Sequence, residues 1–218
     1  MKIAVAAFCR KYAVALREVA ERVEAVSADC LHFYQIEKIT ILRSMRNILV
    51  VIDMQNDFIS GSLGSEAARC IVPSVVEVIK NFEGEVFATL DTHGADYFST
   101  LEGRRLPVAH CIKDTSGWEI EASVAEALRS KGARLIEKRT FGSVDLPAAI
   151  DGTAGGADLG ITLLGLDTDI CVVSNALSLR MHYPDARITV LADCCAGSSP
   201  EAHDAALAVM RSCQIDIE

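Results

Sequence analysis

Three short segments place groups capable of covalent chemistry just after apolar, strand-sized runs: Asp53 in VVIDMQNDF, Lys138 in IEKRTFGS and Cys171 in GLDTDICV. A thiol can attack a carbonyl, a carboxylate can take the thiol proton, and an ammonium can favour both anionic forms. Cys171 would open a helix, where unpaired amides and the macrodipole lower a thiol pKa and neighbouring backbone N–H groups can hold an oxyanion. Each residue also has a plain structural reading. Cysteine is among the most buried residue types, Asp53 can cap a turn, and Lys138 can be a surface ion-pair partner. Their joint placement favours chemistry, because strand C-termini in an open α/β sheet converge on one crevice.

A second group lies in the stretch from Asp91 to Gly117, which is too long for a bare connection and so reads as a site-bearing loop. Asp91 and His93 form a D-x-H pair directly after a strand, and His110 follows later. Carboxylate and imidazole ligands suit Zn²⁺, Mn²⁺ or Fe²⁺. The alternative is a polar loop whose histidines and aspartate only hydrogen-bond one another. Cys111 is a soft donor, but beside His110 on an extended segment it should point the other way. His182 and His203 fall on helices, where surface or capping roles are expected. The adjacent Cys194 and Cys195 read as packing at a strand end.

The elements that must position these groups follow from hydrophobic periodicity. From Met45 onward, short β-branched runs alternate with longer amphipathic segments, the pattern of strands joined by helical crossovers. Strands are predicted near 46–53, 85–90, 134–138, 159–165 and 187–192, with a last pairing at the C-terminal CQIDI. Helices are predicted near 69–82, 117–131, 169–182 and 199–212. Runs as uniformly apolar as NILVVI and ITLLGL are buried on both faces. The expected fold is therefore α/β, a three-layer αβα sandwich with a mostly parallel central sheet.

Composition bounds the rest. The 218 residues suffice for one domain, since a second core would need roughly 100 residues of its own. Half are hydrophobic and 23% are charged, which is globular rather than disordered. A net charge of −9 repels phosphates, so nucleic acid is not expected as a partner. No apolar run approaches the roughly 18 residues of a membrane span. Eight scattered cysteines without a C-x-x-C pair fit a reducing compartment, and a cytoplasmic location is expected. Arg10 and Lys11 cut the N-terminal apolar run before it becomes the core of a signal peptide. Residues 1–44 show an interrupted helical rhythm. They are either an added helix on a domain spanning 45–218 or an upstream extension of the reading frame with little function.

The segments VVIDMQNDF, EKRTFGS and GLDTDICV resemble, in order, the three signatures of the isochorismatase-like cysteine hydrolases, a family that includes nicotinamidases. The resemblance covers about 45–218. It implies a catalytic triad of Asp53, Lys138 and Cys171 and hydrolysis of a small amide through an acyl-enzyme. It further implies a cis peptide between Leu166 and Asp167 that places the amides of Asp167 and Cys171 as the oxyanion hole. Many nicotinamidases keep a histidine just before a Phe-Ser pair, where this chain has Tyr97; a subset uses a glutamate instead, and Glu102 stands at that place. The implied metal set is Asp91, His93, Glu102 and His110, holding one divalent transition metal, zinc first, then manganese or iron.

Phe58, Tyr97 and Trp118 are the aromatic residues expected around the substrate. Nicotinamide, converted to nicotinate and ammonia, is the leading substrate, and a homo-oligomer is expected. The first alternative is a metal-free amidase of the same family acting on an N-carbamoyl compound or ureide. A non-catalytic binding protein on the same fold is the second.

Overall fold

A computed structural model describes residues 46–151 and 159–218. The expectation for residues 1–44 falls outside the described residues. Six strands form one sheet: β1 (Arg46–Ile52), β2 (Glu85–Asp91), β3 (Arg134–Lys138), β4 (Leu159–Leu166), β5 (Arg187–Ala196) and β6 (Asp216–Ile217). Every pairing is parallel, in the order β3-β2-β1-β4-β5-β6. The chain therefore winds outward from β1 in one direction, then crosses back to β4 and winds in the other. The switch point lies between β1 and β4, where the two outward paths leave a crevice at the strand C-termini.

β1 is central, and its run Ile48–Ile52 is 0–1% exposed, as expected of a strand covered on both faces. After β1 come a short helix α1 (Asn56–Ile59) and the long α2 (Glu66–Asn81). Ser65 caps α2 by accepting from the Ala68 amide at 3.0 Å, and Ala68, Ile71, Val75 and Ile79 form its buried stripe. The remaining helices are α3 (Leu101–Arg105), α4 (Ala122–Ser130), α5 (Leu146–Asp151), α6 (Val173–His182) and α7 (Pro200–Ser212). Right-handed crossovers put α2 and α4, which pack together, on one face, and α6 and α7 on the other.

Two boundaries differ from the sequence reading for identifiable reasons. Residues 117–121 do not join α4. The segment instead returns to the end of β1, where Ile120 bridges Gln55 and the Glu121 amide donates to the Met54 carbonyl at 2.9 Å. β5 runs on to Ala196, because a register irregularity between Leu163 and Gly165 lets Cys195 pair with Gly165. Cys194 and Cys195 are accordingly buried at a strand end, as the sequence suggested.

Candidate active site

Four adjacent strands deliver the reactive groups to one edge. Asp53 follows β1 with a left-handed φ of 48°, which turns its carboxylate back over the sheet. Asp91 and Lys138 end β2 and β3 as register partners. Cys171 lies in a wide, π-type turn, Thr168–Val172, between β4 and α6. Gly165 makes this entry feasible: its φ is +124°, and a Cβ there would overlap the Ile52 carbonyl of the neighbouring strand. The peptide between Leu166 and Asp167 is cis.

Asp53, Lys138 and Cys171 are all buried and meet. Lys138 Nζ lies 2.7 Å from Asp53 Oδ2, 3.1 Å from Asp91 Oδ1 and 3.4 Å from Cys171 Sγ. Thr89 donates to Asp53 Oδ1 at 2.7 Å. Burial pulls the Lys138 ammonium toward deprotonation, but the Asp53, Cys171 and Asp91 charges outweigh it, and its pKa rises. Burial also lifts the Asp53 carboxyl against the opposing pull of Lys138.

The thiol corrects an expectation. A helix start should depress the Cys171 pKa, yet burial first, and then the Asp53 carboxylate, push it well above the ordinary thiol range. Lys138 opposes this but is already shared with two carboxylates. The resting nucleophile is thus a neutral thiol beside a base, as in a thiol–carboxylate pair that exchanges its proton during reaction.

Beside the triad, ligand atoms of Asp91, His93, Glu102 and His110 all lie within 4.8 Å of one another. The loop is folded to make this so. The His93 amide donates to the Cys111 carbonyl and the Lys113 amide to the His93 carbonyl, both at 2.9 Å, which pins the returning chain next to the D-x-H pair. Thr100 caps α3 by accepting from the Gly103 amide at 3.0 Å, and that places Glu102 in its first turn.

These residues fit a cation. His110 Nδ1 meets the Val108 carbonyl at 2.9 Å, fixing the tautomer that leaves Nε2 free to ligate. His93 Nε2 is fully buried and 2.9 Å from Asp91 Oδ2, yet makes no aligned hydrogen bond. Burial disfavours charge on His110, but Asp91, Glu102 and the Val108 carbonyl overcome it and raise its pKa to about 10, so the cluster holds a proton strongly where a cation would sit. Burial likewise works against the Asp91 anion, but contacts from His110 and His93 and the Lys138 charge pull its pKa far below the carboxylate range.

A cavity of about 650 Å³ opens over both groups and is lined by Phe58, Asp91, His93, Glu102, His110, Asp167 and Cys171 among others. Phe58 is among the residues that line it. Tyr97 and Trp118 do not line it. Tyr97 stands behind the histidines, edge-on to His93 and His110 at centroid distances of 4.9 and 5.2 Å, with its hydroxyl donating to the Leu106 carbonyl at 2.8 Å. Trp118 Nε1 donates to Thr92 Oγ1 at 2.9 Å, which holds it away from the cavity.

Cys111 is buried outside the ligand cluster, as its alternation with His110 implied. His182 pairs with Asp151 at the surface, at 3.0 Å. His203 meets Thr168 Oγ1 at 2.8 Å and so steadies the turn that carries Cys171.

Sequence reasoning missed the residues that hold the frame. Gln55, fully buried, accepts from the Asp91 amide at 2.7 Å and donates to the Asp91 and Trp118 carbonyls. Asp57 accepts from the Cys111 amide at 2.8 Å. The signal available was VVIDMQNDF itself, whose polar residues continue past Asp53 at a strand end. Ile170 and Phe141, which wall the cavity, carry no such signal because they read as ordinary apolar positions.

Comparison with known proteins bears on this arrangement. Residues 47–217 match the family described as Isochorismatase domain. No curated protein matches the chain. Among solved structures, a nicotinamidase/pyrazinamidase from Bacillus subtilis is 26% identical, with 79% of this chain and 99% of that chain covered at a TM-score of 0.70. The pyrazinamidase of Pyrococcus horikoshii, solved in complex with zinc, is 27% identical over 79% of this chain and 98% of that one, with a TM-score of 0.67. A pyrazinamidase/nicotinamidase from Streptococcus mutans is 25% identical over 79% and 99%, at 0.67.

Proposed function

Because this chain belongs to the isochorismatase family of hydrolases, we propose that it cleaves a small carboxamide through a cysteine acyl-enzyme, with nicotinamide the leading substrate. The observation that carries the reading is Lys138, whose buried ammonium touches both the Asp53 carboxylate and the sulfur of Cys171, the triad member that lines the cavity. The likeness to nicotinamidases and pyrazinamidases supports the choice of substrate.

Cys171 Sγ attacks the carbonyl carbon as its proton passes to Asp53, a transfer needed because the resting thiol is neutral. The backbone amides of Asp167 and Cys171 receive the developing oxyanion. Asp53 then returns the proton to the departing nitrogen, the C–N bond breaks and ammonia leaves. Water attacks the thioester with Asp53 again taking a proton, and the carboxylic acid and free thiol are regenerated. Lys138 keeps Asp53 and the sulfur in register while their charges change. Asp91, His93, Glu102 and His110 would hold a divalent transition metal, zinc first and manganese or iron after it. When bound, such an ion supplies a Lewis-acid site for a ring nitrogen.

The test is ammonia release over nicotinamide, pyrazinamide and several ureides, with and without chelator. Turnover of the pyridine and pyrazine amides that falls with chelator supports the reading. Turnover of ureides alone, indifferent to chelator, would replace it with the metal-free alternative.

A further inference from the structure

Four carboxylates line the cavity, and one of them has no evident employment. Asp91 is held by Lys138 and His93, Glu102 lies among the two histidines, and Asp96 is exposed to solvent. Asp167 is different. It is only partly exposed, faces the same cavity as Cys171, and its carboxyl makes no hydrogen bond or ion pair among the described residues. Its neighbour Asp169, by contrast, accepts from both the Ser198 amide and the Ser198 hydroxyl, at 2.8 and 2.6 Å.

We propose that Asp167 is a specificity residue that selects carboxamides whose acyl part carries an N–H donor. The inference rests on the amidase reading and refines its substrate class: nicotinamide, whose ring bears no N–H, is the parent compound that is turned over, and a ring-amino relative of it is preferred. A desolvated acceptor without a donor is unfavourable in the free protein, and a donor on the substrate relieves it only in the complex. Such a site discriminates strongly against an analogue lacking the donor. The charged groups acting on Asp167 are Asp169 and Asp53, both of which disfavour its anion, and His110, which favours it. Burial, followed by those two anions, lifts its carboxyl to about 7, so the protein supplies it with too little compensating donation. Once the carboxyl is ionised, a donor carrying partial positive charge offsets its desolvation and the repulsion from both anions, so the comparison belongs at pH 8, above the raised pKa. Phe58, Phe141 and Ile170 give the cavity apolar walls suited to a flat ring, and of the lining carboxylates Asp167 is the partly buried one without a protein partner, placed to read a ring substituent.

The test uses matched pairs of ring-substituted nicotinamides, amino against methyl at each free ring position, which differ little in size but differ in N–H donors. kcat/KM is measured for wild type, Asp167→Ala and Asp167→Asn. The expected result is an amino-over-methyl preference of about tenfold or more at one position or more in wild type, falling to near unity in Asp167→Ala. The ratio is taken within each variant, so a general loss of rate cancels. Where Asp167→Ala does not fold, Asp167→Asn and the wild-type ratio carry the test.

A flat wild-type ratio alongside good turnover of nicotinamide overturns this proposal and leaves the amidase reading standing. A preference that persists unchanged in Asp167→Ala also overturns it. Absence of turnover for every amide overturns the amidase reading, and this proposal with it.

Discussion

At Cys171 the arrangement sets a thiol whose pKa burial raises beside the Asp53 carboxyl, which burial also lifts against the pull of Lys138, and reactivity waits for the substrate. Replacing the thiol in Cys171→Ala is expected to lower ammonia release at least about a thousandfold, while a cooperative unfolding transition remains. Asp53→Asn keeps the shape of the side chain but cannot accept the proton, and a comparable loss is expected; near-normal turnover with an unchanged pH profile would assign the base elsewhere. Because burial raises the Cys171 pKa, limiting iodoacetamide at pH 7 is expected to modify the exposed Cys70 and Cys213 before Cys171, which mass spectrometry of the peptides would read. Asp167 offers a linkage test. Its pKa of about 7 in the folded protein exceeds the roughly 3.9 of an aspartate in water, so the folded state binds the proton more tightly, and the stability this provides is lost as pH rises from about 4 through 7. Asp167→Asn has no proton to lose. It is expected to melt above wild type at pH 8, with the gap narrowing as pH falls from about 7 to about 4 and changing no further below that.

Among the elements, the loop between β2 and α4 does most to set the chemistry and was the least legible in the sequence. The strands were readable because β1, β2 and β4 are continuous apolar runs that only a sheet buried on both faces accommodates. The meeting of Asp53, Lys138 and Cys171 at one edge also follows from parallel topology alone. The position of Tyr97 does not. Its ring packs edge-on to two histidines only because hydrogen bonds between residues 93 and 111–113 fold the loop back on itself, and nonlocal backbone pairing leaves no periodic trace. Trp118 was misplaced for the same reason, since the chain from Gly117 to Glu121 is tied to α1 and β1 instead of starting α4. Glu102 sits on α3, a helix of only five residues held by its Thr100 cap. Glu102→Gln removes one charged ligand without altering that cap. It is expected to lower metal content, measured by elemental analysis of the purified protein, while turnover falls and the helical signal is preserved.

For the molecule as a whole, the core does not depend on the ligand cluster. The strands' buried residues lie below the edge where Asp91, His93, Glu102 and His110 gather, so a chelator is expected to remove metal and activity without unfolding the protein, as followed by far-ultraviolet circular dichroism. No helix among the described residues is long and apolar enough to cross a membrane. The order β3-β2-β1-β4-β5-β6 has a further consequence, in time. Asp53, Asp91, Lys138 and Cys171 come from strands that are neighbours in the sheet but far apart in sequence, and every contact among them closes a long loop. Such contacts form late and slowly. On dilution from denaturant, helical signal should therefore return well before ammonia release does, and activity should reappear only when β4 has joined β1, making turnover a clock for the last step of assembly.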